Sequence, residues 1–285
     1  MISYHYKVCG LQLQLNTPRE FWVEPISRVF DAPPACGDVE LTLRAVPEVT
    51  PDAPLCRPHR EKPVWREDER IFRGDHDLFR KEMHFCTEYS LRDPDHLTCF
   101  VREEDWRWAT RSKYLWPGIM FNYILLHHRG LMFHASYIGY QGEGILFVAP
   151  SGTGKSTQAE LWRKHRGARI LNGDKAGVTL QATPMAHGVP FSGTSGICEN
   201  VSLPLKAVVV LSQAAENSVR RLGPSAAVAA LCPNLFVDQA VPEEWQLALH
   251  LLLDLVAAVP VYALACTPDA RAVEALERAM KEGQA

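Results

Sequence analysis

Residues 149–156, with the sequence APSGTGKS, combine glycines, a lysine and hydroxyl side chains at a spacing that suits phosphate binding. Gly152 and Gly154 permit backbone turns that direct amide N–H groups toward phosphate oxygens, and a following helix adds its positive N-terminal end. Lys155 can reach the β- and γ-phosphates of a nucleotide, while the Ser156 hydroxyl can bind Mg²⁺. This segment, called the glycine loop below, predicts ATP binding through Ser151, Gly152, Thr153, Gly154, Lys155, Ser156 and Thr157.

An acid that could complete such a site is Asp174, which follows the short strand pattern ARILNGD. A carboxylate there can bind Mg²⁺ or take a proton from an acceptor hydroxyl. The dipeptide Asn172-Gly173 also favours a plain turn. Because ligands gather at strand ends beside a phosphate-binding loop in α/β sheets, we predict a catalytic and metal-binding role for Asp174, shared with Ser156 at the metal.

Two further features leave their roles open. His134 lies on the apolar strand pattern LMFHASYIGY just before the loop, where a lone histidine is either a core residue or an acid–base group. Residues 187–200 (HGVPFSGTSGICEN) contain three glycines and no strand alternation. They form either a plain connection or a loop whose backbone approaches a substrate closely.

The order of patterns around the glycine loop is typical of an α/β fold. Two apolar strands lead into the loop, and the helical run STQAELWRKH and the strand ARIL follow it. We predict an α/β class, with a phosphate-loop domain over residues 113–285. Residues 1–112 are predicted to form a smaller, β-rich α+β region for substrate recognition or interaction.

The N-terminal region carries patterns but no catalytic motif. The first 15 residues alternate apolar and polar side chains and predict one strand, and prolines over residues 47–63 predict a loop. Residues 60–82 mix acidic and basic side chains, which predicts a solvated face. Trp106 and Trp108 alternate like strand residues, and we expect them to pack rather than to bind nucleic acid.

Composition excludes several classes of protein. The chain has 285 residues with 30 Lys plus Arg against 33 Asp plus Glu, a balance that argues against nucleic-acid binding. The most apolar stretch, residues 245–266, is interrupted by Asp254 and Pro260 and predicts core rather than membrane. None of the eight cysteines has metal-site spacing, and the N-terminus lacks a signal-peptide pattern, so we expect free thiols in a cytoplasmic protein.

The ordered set LMFHASYIGY, ILFVAPSGTGKST and ARILNGD resembles the catalytic domain of HPr kinase/phosphorylase, a family that shares its phosphate-loop core with ATP-dependent phosphoenolpyruvate carboxykinase. The resemblance spans roughly residues 115–275. It implies that Lys155 and Ser156 bind nucleotide phosphates and Mg²⁺, and that Asp174 and His134 serve proton transfer. The best-known members carry two adjacent acids after the strand, and here Gly173 stands in place of the first.

The same resemblance bears on the phosphoryl acceptor. The segment PFSGTSGICENVSLPL looks like that of HPr kinase-like proteins encoded beside peptide-modifying enzymes, and residues 1–112 do not resemble the regulatory domain of the carbon-catabolite enzymes. The resemblance therefore implies a kinase that phosphorylates a Ser or Thr side chain of a peptide or small protein. It also implies that the protein can form a homo-oligomer. A kinase for a small metabolite such as free serine or a sugar, and a non-catalytic nucleotide-gated binding module, remain the alternatives.

Overall fold

A computed structural model describes residues 1–20, 25–47, 64–77, 82–191, 193 and 195–283. The chain divides into two compact units, Met1–His127 and His128–Ala285. The functional boundary between residues 112 and 113 stays a prediction, because a compact unit is not by itself a functional division. Most of the expected proline loop, over residues 48–63, lies outside the described residues, as do residues 60–63 and 78–81 of the charged run.

The described residues of the first unit form a β-sheet and three short α-helices. The strands are β1 (Ile2–Val8), β2 (Leu11–Thr17), β3 (Val39–Val46), β4 (Val64–Glu67), β5 (Arg70–Asp77), β6 (Glu82–Ser90) and β7 (His96–Arg102), and the helices are α1 (Trp106–Ala109), α2 (Ser112–Gly118) and α3 (Phe121–His127). Over the described residues the strand order is β1-β2-β3-β7-β6-β5-β4. The N-terminal region is therefore β-rich with added helices, as its alternating patterns predicted.

Two local predictions for this unit were wrong. The first 15 residues form a hairpin rather than one strand, because Cys9 and Gly10 both have positive φ (52° and 85°) and make the two-residue turn that joins β1 to β2. Trp106 and Trp108 lie on α1 instead of a strand. An alternation over three residues is too short to separate the two periods, and the Trp108 indole nitrogen donates to Asp105 Oδ1 at 2.9 Å.

The charged run is only partly a solvated face. Its described part forms β4 and β5, where Trp65 stacks on Phe72 with ring centroids 5.3 Å apart. Arg73 is buried: its Nε donates to the Tyr89 hydroxyl at 2.8 Å, and its guanidinium lies 3.6 Å from the centroid of the Tyr123 ring. Burial of this cation is tolerated because hydrogen bonding and the aromatic face replace water.

The second unit combines a β-sheet of parallel and antiparallel strands with four α-helices among its described residues. The strands are β8 (Gly130–Tyr140), β9 (Glu143–Val148), β10 (Arg169–Asn172), β11 (Lys175–Leu180), β12 (Pro184–Gly188), β13 (Ser202–Gln213), β14 (Ser218–Arg221) and β15 (Val261–Cys266), and the helices are α4 (Lys155–Arg166), α5 (Pro224–Leu231), α6 (Pro242–Ala258) and α7 (Ala270–Glu282). The predicted mixed α/β class is confirmed.

Four strands of this sheet run in the same direction and end at the same edge. β9 pairs with β8 on one side and with β13 on the other, and β13 also pairs with β15. β9, β13 and β15 run parallel, while β8 runs antiparallel both to β9 and to β10. β10 therefore runs in the same direction as β9, so the carboxyl ends of all four co-directed strands meet at one edge.

The core of this unit holds the helices against the sheet. Trp162 of α4 is fully buried, and its ring lies 5.2 Å from that of Tyr140 and 6.4 Å from that of Phe147. Leu276 of α7 joins the same cluster. A buried aromatic side chain of this size contributes about 1.5–3 kcal/mol or more, so the cluster fixes α4 over β8 and β9.

The apolar stretch that the sequence assigns to the core forms α6 and β15. Gln246, His250 and Asp254 form an exposed polar stripe on α6, while Leu251, Leu252 and Leu255 are buried. Within the described parts of the chain, no helix combines the length and the apolar character that a membrane span requires.

A buried histidine between β11 and β13 makes the stability of this unit depend on pH. His187 contacts the Thr179 hydroxyl through Nε2 and the Ser202 hydroxyl through Nδ1, each at 2.7 Å. Burial lowers the pKa of His187 to about 4. Between about pH 4 and 6.5 the folded state binds fewer protons at this histidine than the unfolded state does. The free energy of unfolding therefore increases as the pH rises through this window.

We expect that His187→Gln reduces this pH dependence. Lowering the pH from about 7 to about 5 should cost the unmodified protein about 2 kcal/mol more of unfolding free energy than the variant, because only the histidine must be protonated on unfolding. Urea unfolding of both proteins at the two pH values measures the difference. Equal losses in the two proteins would contradict the assignment.

Candidate functional site

The glycine loop connects the end of β9 to the start of α4, as the sequence predicted. Gly152 and Gly154 have φ values of 78° and 116°, a region that residues with side chains rarely adopt. A Cβ at either position would meet no atom within 4 Å, so these positions need glycine for conformation and not for space. Gly154 caps α4, and Lys155 and Ser156 occupy its first turn. The free amides of this turn can therefore face an anion.

Lys155 folds back onto its own loop. Its side chain is buried, and Nζ donates to the carbonyl oxygens of Ala149 at 2.8 Å and Pro150 at 3.2 Å. Burial lowers the pKa of Lys155, and the carboxylate of Asp174 opposes that shift. Ser151, Ser156 and Thr157 are exposed, and Thr153 is half-buried.

Asp174 and His134 lie together at the same edge of the sheet. Asp174 follows β10, and His134 lies on β8, where its backbone pairs with Lys175 of β11. The His134 Nε2 and Asp174 Oδ1 atoms are 3.5 Å apart, and both side chains keep more than a quarter of their surface exposed. The two groups are thus close enough to share a proton with a bound molecule.

The charges around His134 favour its neutral form. Burial lowers the pKa of the imidazole, and the Lys155 and Lys175 charges lower it further, whereas Asp174 opposes them. A neutral imidazole can accept a proton at physiological pH. The charges of Lys155 and Asp174 therefore both act on the imidazole of His134.

Asn172 holds the turn that presents Asp174. Its buried Oδ1 accepts from the backbone N–H groups of Asp174 at 3.0 Å and Lys175 at 3.1 Å. Its Nδ2 donates to the carbonyl oxygens of Val189 and Phe191, both at 2.9 Å. The turn suggested by Asn172-Gly173 is real, and it both positions Asp174 and anchors the segment that follows β12.

That segment, within residues 187–200, approaches Asp174 closely. A Cβ on Gly193 would lie 2.6 Å from Cβ and from Cγ of Asp174, and Gly193 has a φ of 53°. A Cβ on Gly173 would lie 2.2 Å from Oγ and 2.5 Å from Cβ of Ser195. Residues 192 and 194 lie outside the described residues. The backbone at Gly193 therefore lies close to the side chain of Asp174, and a close approach of this segment to a substrate stays a prediction.

Sequence reasoning missed Lys175, the residue after Asp174. Its Nζ lies 4.3 Å from the centroid of the Phe191 ring and 4.7 Å from that of the Phe236 ring, distances typical of cation–π contacts. The Phe236 ring also lies 6.2 Å from that of His134. The adjacency of Lys175 to Asp174 was the only signal in the sequence, because both aromatic partners come from distant segments.

Ser156 and Asp174 are the two side chains that could contribute ligands to a metal ion shared with a nucleotide. The described residues contain no group of three or more His, Cys, Asp or Glu side chains placed to hold a metal. Ser156 and Asp174 supply a hydroxyl and a carboxylate. Mg²⁺ commonly takes one or two such protein ligands and completes its shell with phosphate oxygens and water, so this donor set fits Mg²⁺ better than an ion bound by protein alone.

Residues 113–281 match the protein-family model described as SynChlorMet cassette protein ScmC. The chain belongs to the ScmC family. The ScmC match includes His134, the glycine loop and Asp174, so every predicted site residue lies within the part of the chain that defines the family.

One solved structure with which the chain was compared shows a low similarity. Among solved structures, the Hpr(Ser) kinase/phosphatase from Coxiella burnetii is similar over 54% of this chain and 97% of its own, with 11% identity and a TM-score of 0.32. A likeness at this level is too weak to fix the phosphate-loop core or a function. No curated protein matches the chain.

Substitutions at the two charged neighbours of His134 should move its pKa in opposite directions. Lys155→Ala is expected to raise the pKa of His134 because a repelling cation is lost, and Asp174→Asn is expected to lower it because a stabilising anion is lost. An NMR titration of the His134 ring measures both. Lys164→Ala, which removes an exposed cation from the same helix, is the matched control and should leave the pKa unchanged. Shifts of the same sign in both variants would contradict the arrangement.

A side chain at position 173 should be tolerated only if that at position 195 is removed. Gly173→Ala is expected to lower the unfolding free energy by about 1–3 kcal/mol, because the new methyl group overlaps Ser195. Ser195→Gly should restore most of this loss in the double variant. Chemical unfolding of both variants and of Ser195→Gly alone tests the pairing, and an undiminished loss in the double variant would refute it.

Proposed function

We propose that the protein is an ATP- and Mg²⁺-dependent kinase that transfers the γ-phosphoryl group to a hydroxyl acceptor, namely a Ser or Thr side chain of a peptide or small protein. One observation carries the proposal. The His134–Asp174 pair, with atoms 3.5 Å apart, lies at the same sheet edge as the glycine loop, and Lys155 is near enough to shift the pKa of His134. Groups suited to proton transfer and groups suited to phosphate binding thus lie together at one edge of the sheet.

The glycine loop is proposed to bind the triphosphate. Its backbone amides and the start of α4 would face the phosphate oxygens, and Lys155 would leave its carbonyl partners to bind the β- and γ-phosphates. Mg²⁺ held by the Ser156 hydroxyl and the Asp174 carboxylate would neutralise part of the phosphate charge. Thr157, which is exposed in the same turn, would add a further hydroxyl donor.

The transfer step requires little beyond position and charge. The acceptor oxygen attacks the γ-phosphorus, its proton passes to the Asp174–His134 pair, and the bond from the γ-phosphorus to the β,γ-bridging oxygen breaks to release ADP. Neutral His134 can take the proton from Asp174, which leaves the carboxylate charged. Lys155 would stabilise the negative charge on the transferred group.

The proposed acceptor is bounded by the segment that covers Asp174. Gly193 approaches the Asp174 side chain without a side chain of its own, and Phe191 and Phe236 flank Lys175 beside it. An acceptor peptide in extended form would approach the carboxylate beside this glycine. The resemblance of residues 190–205 to HPr kinase-like proteins encoded beside peptide-modifying enzymes supports the same acceptor class.

The proposal is tested with γ-labelled ATP, Mg²⁺ and candidate acceptors offered separately. Label should enter a peptide or small protein, and Lys155→Ala and Asp174→Asn should each lower transfer at least about a hundredfold because charge stabilisation or proton acceptance is lost. Lys164→Ala, an exposed lysine on the same helix, is the control and should keep full activity.

Each of the other possible outcomes would indicate a different function for this protein. Label that enters only free serine or a sugar would make the protein a metabolite kinase. Tight ATP binding with no transfer to any acceptor would make it a nucleotide-gated binding module. A folded Lys155→Ala protein that transfers phosphate at the unmodified rate would overturn the kinase assignment.

A further inference from the structure

A cleft of about 440 Å³ opens beside the glycine loop, and neither Asp174 nor His134 lines it. Its volume lies within the roughly 300–1,000 Å³ that small-molecule sites occupy. The residues that line it come from the loop, from the first turns of α4 and from the carboxyl ends of β13 and β15: Gly152, Thr153, Gly154, Thr157, Gln158, Gln213, Ala214, Cys266, Thr267 and Pro268.

The wall formed by the ends of β13 and β15 is already fixed in place. The Ala214 amide donates to the Cys266 carbonyl at 3.1 Å. Asn217 donates to the Thr267 hydroxyl at 2.9 Å and accepts from the Thr267 amide at 3.0 Å. The Thr267 hydroxyl in turn donates to Asp269, which caps α7. A ligand that enters the cleft would therefore find an ordered surface, which lowers the entropic cost of binding.

A buried polar side chain lies at this cleft with hydrogen-bonding capacity left over. Gln158 is 2% exposed, and its Nε2 donates to Cys266 Sγ at 3.2 Å. Its Oε1 is buried and has no hydrogen-bond partner among the described residues. An unsatisfied buried acceptor is energetically unfavourable, and rotation of the amide would present it to an N–H or O–H group of a ligand.

The order of the strands decides which end of a nucleotide this cleft receives. The glycine loop follows β9, which lies between β8 and β13. His134 and Asp174 lie on the β8 side, whereas Gln213 and Cys266 end β13 and β15 on the other. A triphosphate held by the loop with its γ-phosphate toward Asp174 must extend its opposite end away from that acid, and the cleft lies there.

We infer that the cleft binds the nucleoside part of ATP, with Gln158, Ala214 and Thr267 as residues that recognise it. This inference rests on the proposed function, because the orientation of the phosphates follows from Asp174 being the transfer site. It assigns separate regions to the two parts of the ligand: the glycine loop binds the phosphates, and the ends of β13 and β15 bind the base and ribose.

The test compares ATP with inorganic tripolyphosphate, which carries the phosphates without the nucleoside. Calorimetry on the unmodified protein should show tighter binding of ATP. Ala214→Trp, which fills the cleft from an exposed position, should weaken ATP at least tenfold and leave tripolyphosphate unchanged. Ala215→Trp is the matched control, since Ala215 is also exposed but does not line the cleft, and it should change neither affinity.

The outcomes separate this inference from the proposed function. Unchanged ATP affinity in Ala214→Trp, or an equal loss of both ligands, would overturn the nucleoside assignment while the kinase proposal stands. Failure of the unmodified protein to bind either ligand would overturn both.

The thiol of Cys266 gives a second readout that needs no variant. Cys266 is half-buried at the cleft, and burial raises the pKa of its thiol, so alkylation is followed at mildly alkaline pH by peptide mass spectrometry. ATP should slow the alkylation of Cys266 at least severalfold, whereas tripolyphosphate should not. Cys36, which is exposed, serves as the internal reference. Equal protection by the two ligands, or no protection by either, would contradict the inference.

Discussion

The shared direction of β9, β10, β13 and β15 is the constraint on which the candidate site depends. Because these strands run the same way, the glycine loop, Asp174 and the residues after Gln213 and Cys266 all emerge at one edge of the sheet. No single segment carries more than a fragment of the site. The buried cluster around Trp162 then keeps α4, and with it Lys155, in register with that edge. The placement of the candidate site is thus a result of strand direction combined with core packing.

Asn172 is the local counterpart of that constraint. Its amide uses both polar atoms, two backbone N–H groups on one side and two carbonyl oxygens on the other. Since it is fully buried, loss of any of these bonds would leave an unsatisfied polar group inside the protein. The position of Asp174 and the path of the segment near Gly193 are therefore set by the same side chain. The acid and the backbone that borders it cannot move independently.

The sequence predicted what depends on neighbours along the chain. The strand, glycine loop and helix around Lys155, the strand before Asn172 and the turn after it follow from local patterns, and the structure has all of them. Interactions between segments that are distant in the sequence could not be predicted from it. Nothing local showed that Arg73 would be buried against Tyr123, or that Lys175 would lie between two rings. The prediction of a single N-terminal strand was wrong for another reason. Cys9 has a positive φ in the turn, and a non-glycine residue with positive φ carries no strong turn signal in the sequence.

The two hydrogen bonds that Lys155 donates within its own loop have a consequence for selectivity. The lysine is already satisfied by the carbonyl oxygens of Ala149 and Pro150, so an incoming anion does not meet an unpaired cation. Binding of the proposed phosphate would be an exchange of acceptors, and its net free energy would be the difference between the bonds gained and those given up. A weakly charged anion gains little by that exchange, whereas a polyphosphate offers several charged oxygens at once. A phosphate-binding loop of this kind would therefore favour ligands of high charge density, whatever the rest of the ligand is.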